Sequence, residues 1–241
     1  MLDCITFYAK EYATDKEAIL TRAEKEIGYP MIVKPINLGS SVGISKATDR
    51  NALACAVDLA CSFADKILIE HAVTAIREIN CSVLGDSDGC EASVCEEPFM
   101  NDEILSYEDK YLGGTKSGAS KGMASLGRKL PADLPTEKSE EIRHLATEVF
   151  KALGGNGVVR IDFIIDTETD KVYANEINTI PGSLSFYLWE ASGIKYRELI
   201  DRLISLAFKR NRNRQNLTFT IDTNILSGVS FGTKGSKGSK C

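Results

Sequence analysis

From Val158 to Gly182 the chain reads VVRIDFIIDTETDKVYANEINTIPG, two runs of alternating apolar and polar residues about the polar connection Asp166–Asp170. This pattern predicts a β-hairpin with a loop of about five residues. In the first run Val159, Ile161, Phe163 and Ile165 share one face, with Arg160 and Asp162 on the other; in the second run Ala174, Glu176 and Asn178 share a face. A register centred on Glu168 or Thr169 gathers Arg160, Asp162, Glu176 and Asn178 on one side of the sheet. Centring on Thr169 sets Asp162 directly opposite Glu176, and centring on Glu168 makes them diagonal neighbours. Two carboxylates this close repel unless something neutralises them. A divalent cation with oxygen ligands does so, and Mg²⁺ suits such a set. The alternative is an ordinary solvated hairpin face.

The rest of the chain divides by the same periodicities. Thr14 with Glu17 forms a capping box for a helix that places Ile19, Ala23 and Ile27 on one face and stops at Gly28. A strand is expected at Pro30–Lys34, then a small-residue loop, then a helix capped by Thr48 with Leu53, Val57 and Cys61 inward. Strands are expected at Lys66–Glu70, Glu78–Leu84 and Cys90–Glu96, the last two joined by a turn at Asp86–Gly89. Between Phe99 and Pro135 periodicity fails. The glycine-, serine- and lysine-rich part of that stretch, Lys110–Gly127, predicts a lid. A helix is expected over Glu137–Leu153, with Ile142, Leu145, Val149 and Leu153 inward and a stop at Gly154-Gly155. Helical patterns recur at Leu184–Ala191 and Tyr196–Lys209; Thr218–Ile221 alternates like a strand, and Gly232–Lys240 reads as a disordered basic tail.

The composition narrows the class. With 241 residues, 43% hydrophobic and 26% charged, the chain has ample core for one large domain or two lobes. A net charge of -5 argues against a general nucleic-acid surface, and the basic run Lys209, Arg210, Arg212, Arg214 reads as a solvated helix terminus. No apolar run spans a bilayer and the N-terminus lacks a signal-peptide pattern, so the expectation is a cytoplasmic protein with no membrane partner. Seven cysteines at irregular spacings, without a CxxC pair, read as reduced thiols.

Lys34 closes a strand, and Gly39-Ser40-Ser41-Val42-Gly43 follows it. Small residues let backbone N–H groups turn inward around an anion, and the ammonium adds a compact positive charge suited to phosphate. With the carboxylate hairpin downstream, the combination describes a Mg-nucleotide site. The stretches VKPINLGSSVGISK, YEDKYLGG, RIDFII and NEINTIPG, in this order, resemble the D-alanine–D-alanine ligases of the ATP-grasp superfamily, which also include vancomycin-resistance ligases joining D-Ala to D-Ser or D-lactate. The similarity runs from about Thr6 to Lys209.

The resemblance implies an α+β ATP-grasp fold of two lobes, at 1–98 and 99–215, followed by a polar tail at 216–241. It implies ATP and two Mg²⁺ ions, a role Mn²⁺ can also fill, and it is compatible with a homodimer. Lys34 matches the lysine on the α- and β-phosphates, Lys110 the one at the γ-phosphate, and Ser41 a position on the nucleotide loop. Glu70 and Glu78 match positions at adenine and ribose. Asp162, Glu176 and Asn178 match the metal ligands, with Glu176 bridging. Arg160 and the Gly182 N–H match donors to the tetrahedral oxyanion, and Ser40 and Tyr111 match groups that orient the first substrate. The implied activity is ATP-dependent joining of two D-alanines through a D-alanyl phosphate. The alternatives are a D-Ala–D-Ser or other carboxylate–amine ligase, and a truncated, catalytically silent ATP-binding module. Two departures stand out. Set against the family, the sequence is expected to correspond to its central and C-terminal domains without the N-terminal one, with position 1 near the start of the central domain, and Phe186-Tyr187 occupy the place of a more polar pair near the second substrate.

Overall fold

The computed structural model describes residues 1–38, 42–98 and 127–217. The loop positions Ser40 and Ser41, the Lys110 and Tyr111 positions with nearly all of the expected lid, the Thr218–Ile221 strand and the basic tail lie outside them.

The elements run β1 (Cys4–Tyr8), α1 (Ala9–Thr14), α2 (Lys16–Glu26), β2 (Met31–Pro35), β3 (Ser45–Ala47), α3 (Arg50–Cys61), β4 (Lys66–His71), β5 (Ile76–Asp86), β6 (Gly89–Pro98), β7 (Arg128–Lys129), α4 (Thr136–Ala152), β8 (Gly157–Asp166) and β9 (Lys171–Asn178). A 3₁₀ turn at Gly182–Ser185 then leads into α5 (Phe186–Ala191) and α6 (Tyr196–Gln215). Helix α2 starts later than the Thr14 reading: Asp15 is its cap and accepts from the Ala18 N–H, while Thr14 ends α1 with its hydroxyl on the Lys10 carbonyl. Helix α3 is likewise capped by Asp49, not Thr48, through the Ala52 N–H. In both cases a carboxylate one residue downstream takes the cap from a threonine hydroxyl.

The first sheet has the order β1-β4-β2-β3, all antiparallel. Its odd-numbered residues Met31, Val33, Ile67 and Ile69 are buried with Leu20 and Ala23 of α2 and Leu53, Ala56 and Val57 of α3, leaving Lys34 and Glu70 on the opposite face. Strands β1 and β3, which the periodicity does not predict, are the two edges of this sheet.

The second sheet runs β7-β6-β5-β8-β9. Strands β5 and β6 lie within the sequence range of the first lobe but pair into this sheet, so the boundary at 98 does not coincide with the division into sheets. One face, carrying Ile79, Cys81, Val83, Ile161 and Phe163, packs on α4. The buried stripe of α4 is Ile142, Ala146 and Phe150, and Leu153 is exposed; the predicted stripe is thus rotated by about one residue. The other face is covered at one end by α5 and α6, where Leu84, Val158, Trp189, Ile194 and Leu199 form a smaller core. Trp189 is 1% exposed and its indole N–H donates to Ser82 Oγ at 3.0 Å, fixing α5 to the sheet. The middle of this face is polar. Among the described residues no helix is long and apolar enough to cross a membrane.

Candidate active site

Two β-bulges align the polar face. The turn at the end of the β8–β9 hairpin pairs Asp166 with Lys171, so four residues, Thr167–Asp170, form the loop instead of five. Its tightness comes from Asp166, whose carboxylate accepts from the Glu168 N–H and the Thr169 hydroxyl, and from Asp170 at φ 56°. Near this turn Ile164 faces Tyr173 and Phe163 faces Ala174, which places Ala174 on the α4 side and not with Glu176. The register then shifts, Asn175 is the extra residue, and Asp162 stands directly opposite Glu176, with Arg160 opposite Asn178. The expected face of Arg160, Asp162, Glu176 and Asn178 forms; Ala174 leaves it because the bulge reverses the alternation.

The β5–β6 pair repeats the device. A bulge between Cys81 and Val83 sets Asn80 opposite Glu96, and Asn80 is also opposite Asp162. A single row therefore crosses four strands: Glu96, Asn80, Asp162, Glu176. The next row holds Ser82, Arg160 and Asn178, and Glu78 lies two residues before Asn80 on the same face.

Charge is balanced locally. Arg160 donates from Nε to Asp162 Oδ1 and from Nη2 to Oδ2, both at 2.7 Å, and Asn178 Nδ2 donates to Oδ2 at 3.0 Å. Burial opposes the Arg160 charge, but the Asp162 carboxylate outweighs it and holds the arginine pKa above its ordinary value. At the far end of the row Glu96 accepts from Asn80 Nδ2 at 3.0 Å and the Tyr187 hydroxyl at 2.7 Å, and it pairs with Arg128 at 3.3 Å. Burial, then the Glu96 carboxylate, pushes the Tyr187 pKa up to about 12.

The first sheet contributes Lys34. Its ammonium pairs with Glu70 at 2.7 Å and reaches within 3.5 Å of Asn175 Oδ1, so the bulged residue of β9 meets the exposed face of β2. The Lys34–Glu70 pair of the first sheet thus meets β9 at Asn175, next in sequence to Glu176, while Glu78, Arg160, Asp162, Glu176 and Asn178 share one face of the second sheet. Gly182 opens the 3₁₀ turn just beyond β9. That turn is strained: Ser183, Leu184 and Ser185 have φ of 52°, 56° and 50°, and the buried Ser185 hydroxyl has no partner among the described residues. The sequence pattern alone does not single out Asn80, Glu96, Arg128 and Asn175. The alternation Glu78, Asn80, Ser82 is a usable signal, whereas the bulges that place Glu96 and Asn175 have none.

The donors fit a hard divalent ion: carboxylates from Asp162 and Glu176 directly opposite each other, and an amide from Asn178 two residues on, all oxygen-bearing. Among the described residues no group of three or more acidic, histidine or cysteine side chains is placed to hold a metal ion, so the set here is two carboxylates and an amide. A partial set of this kind leaves positions for water and phosphate oxygens. A separate concavity of about 710 Å³ lies between the β5–β6 turn and α6, lined by Leu84, Arg202 and Lys209 among others, and contains none of these residues.

Residues 1–205 match the family model described as D-ala D-ala ligase C-terminus. A D-alanine–D-alanine ligase of Caldicellulosiruptor bescii is 44% identical over 90% of this chain and 57% of its own length. One of Acetivibrio thermocellus is 44% identical over 86% of this chain and 53% of its own. The chain therefore spans about half the length of the curated relatives it matches. Among solved structures, the D-alanine–D-alanine ligase of Coxiella burnetii superposes with a TM-score of 0.70 at 26% identity, over 89% of this chain and 54% of the other. The VanG D-Ala:D-Ser ligase of Enterococcus faecalis gives 0.69 at 26%, over 86% and 56%. The fold is α+β, of the ATP-grasp type.

Proposed function

The chain belongs to the D-alanine–D-alanine ligase family, and on that premise we propose that it carries the ATP-binding and bond-forming part of a ligase that joins two D-alanine molecules. The observation that carries this reading is the alignment of Asp162 against Glu176, with Arg160 and Asn178 beside them and Lys34 approaching from the other sheet.

The carboxylate of the first D-alanine attacks the γ-phosphorus of ATP and ADP departs, leaving a D-alanyl phosphate. Lys34 lies against the α- and β-phosphates, exchanging its Glu70 partner for phosphate oxygens; Lys110 serves the γ-phosphate. Asp162, Glu176 and Asn178 would hold two Mg²⁺ ions, which supply neutralisation of the charge on the phosphates. Glu70 and Glu78 engage the adenine and ribose, with Ser41 on the nucleotide loop, and Ser40 and Tyr111 orient the donor. The amine of the second D-alanine then attacks the acyl carbon. Arg160 and the Gly182 N–H donate to the developing oxyanion, inorganic phosphate leaves, and the amine loses its proton. Arg160 suits this role because Asp162 fixes its plane before substrate arrives. The product is a cell-wall peptidoglycan precursor, made in the cytoplasm.

The test is phosphate release from Mg-ATP with and without D-alanine, together with detection of the dipeptide. D-Alanine-dependent release with matching dipeptide supports the reading. ATP turnover indifferent to D-alanine contradicts it.

A further inference from the structure

Glu96 is an expensive residue to place where it is. It is 3% exposed, and a buried carboxylate is tolerated only when its oxygens are paired. Three donors meet this need: Asn80, the Tyr187 hydroxyl and Arg128. An apolar residue would pack there at lower cost, so what the carboxylate achieves is the fixing of its partners.

Those partners have a definite location. Asn80 lies between Glu96 and Asp162 in the row that crosses the sheet, and Tyr187 lies in the first turn of α5, just after the strained run Ser183–Ser185. Arg128 stacks on the Tyr187 ring, 4.2 Å from its centre. Asn80, which Glu96 fastens, stands opposite Asp162, and Asp162 is the carboxylate that takes both Arg160 donors. The polar face thus has two ends joined at Arg160. One, at β8 and β9, carries the ligands for metal and phosphate. The other, at β5, β6 and α5, carries an aromatic ring with a guanidinium stacked on it, both fastened to one carboxylate.

We propose that Glu96 is a positioning residue for the second substrate: by holding the Tyr187 phenol and the Arg128 guanidinium, it builds the wall against which the attacking amino acid is seated. This rests on the ligase reading above. Phosphoryl transfer belongs to the metal end, the acyl carbon lies at Arg160 and Gly182, and the amine must approach from the remaining side. The wall suits an α-amino acid, whose carboxylate complements guanidinium and whose body lies on the aromatic ring. The protonated phenol spends its hydrogen on Glu96, so Tyr187 presents its ring and not a donor to the substrate.

The experiment uses Glu96→Gln and Tyr187→Phe, measuring ADP and dipeptide separately while the amino-acid acceptor is varied. Glu96→Gln keeps the shape but loses the charge that holds Arg128; Tyr187→Phe keeps the ring and removes only the anchor. In each, the KM for acceptor should rise about tenfold or more, the KM for ATP should stay within twofold, and more ADP should form per dipeptide because stranded acyl phosphate hydrolyses. Acceptor KM and ADP-to-dipeptide ratio unchanged in both variants overturn the proposal. A parallel rise in the ATP and acceptor KM values overturns it as well, since that is the result of a merely structural role. Absence of D-alanine-dependent ADP formation by the unaltered protein overturns the ligase reading itself and, with it, this one.

Discussion

Asp162→Ala isolates the electrostatic arrangement at the centre of the site. The substitution removes the carboxylate that takes two Arg160 donors at 2.7 Å and one from Asn178 at 3.0 Å. Arg160 and Asp162 are 20% and 22% exposed, so the guanidinium left behind is largely cut off from water. Removing one partner of a fully buried pair costs about 3–5 kcal/mol and exposed pairs are worth about 0–1 kcal/mol, so a pair four-fifths covered should cost about 2–3 kcal/mol. For a protein of this size that corresponds to roughly 4–12 °C in Tm. Urea unfolding at neutral pH measures the change. The double variant Arg160→Leu/Asp162→Ala, which strands no charge, should recover at least half of the loss. A single variant within about 0.5 kcal/mol of the unaltered protein would refute the reasoning, as would a double variant no more stable than the single one.

Other consequences follow from the same structure. Tyr29 and Tyr187 both have pKa values pushed up to about 12 from 10.0, by burial first and then by hydrogen bonds and charge from Glu24 and Glu96. The folded state therefore holds these protons more tightly, so this contribution to stability is complete below pH 10 and is lost as pH rises through 12; urea midpoints across that window should decline, less steeply in Tyr187→Phe. The only tryptophan is the buried Trp189, so its emission should be blue-shifted and poorly quenched by acrylamide, and Trp189→Phe should cost about 1–3 kcal/mol through the lost Ser82 bond and the unfilled volume. Cys55 is exposed whereas Cys81 and Cys95 are buried, so a thiol reagent should label Cys55 before those two and reach them only on unfolding.

Much of the site is legible in the sequence because a strand advertises its faces. Arg160 and Asp162 alternate with a continuous apolar set, and Glu176 and Asn178 repeat the spacing, so their common face follows from the residue pattern alone. The Thr169-centred register is right for Asp162 and Glu176 but wrong for Ala174, because one inserted residue exchanges the faces of everything on its far side. Bulges leave no periodic trace, which is also why Asn175 and Glu96 do not stand out. The two unpredicted edge strands are short: β3 has three residues, and only Ile5 and Phe7 are buried in β1. Neither pattern is long enough to rise above its surroundings. The cap positions differ by one residue because adjacent Thr-Asp pairs offer two hydrogen-bond acceptors and sequence alone does not order them.

The central claim is that the Asp162–Glu176 face binds nucleotide through a metal. Its most direct test is calorimetric titration of ATP into the protein with and without Mg²⁺, repeated on Glu176→Gln. Substitution of Glu176 relieves a like-charge pair in the metal-free state, so the variant should remain folded with unfolding stability at least that of the parent. The account predicts Mg²⁺-dependent ATP binding by the unaltered protein, and affinity at least about tenfold weaker in the variant with most of its Mg²⁺ dependence gone. Equal Mg²⁺ dependence in the two proteins, or ATP binding by the unaltered protein that is indifferent to Mg²⁺, would contradict it.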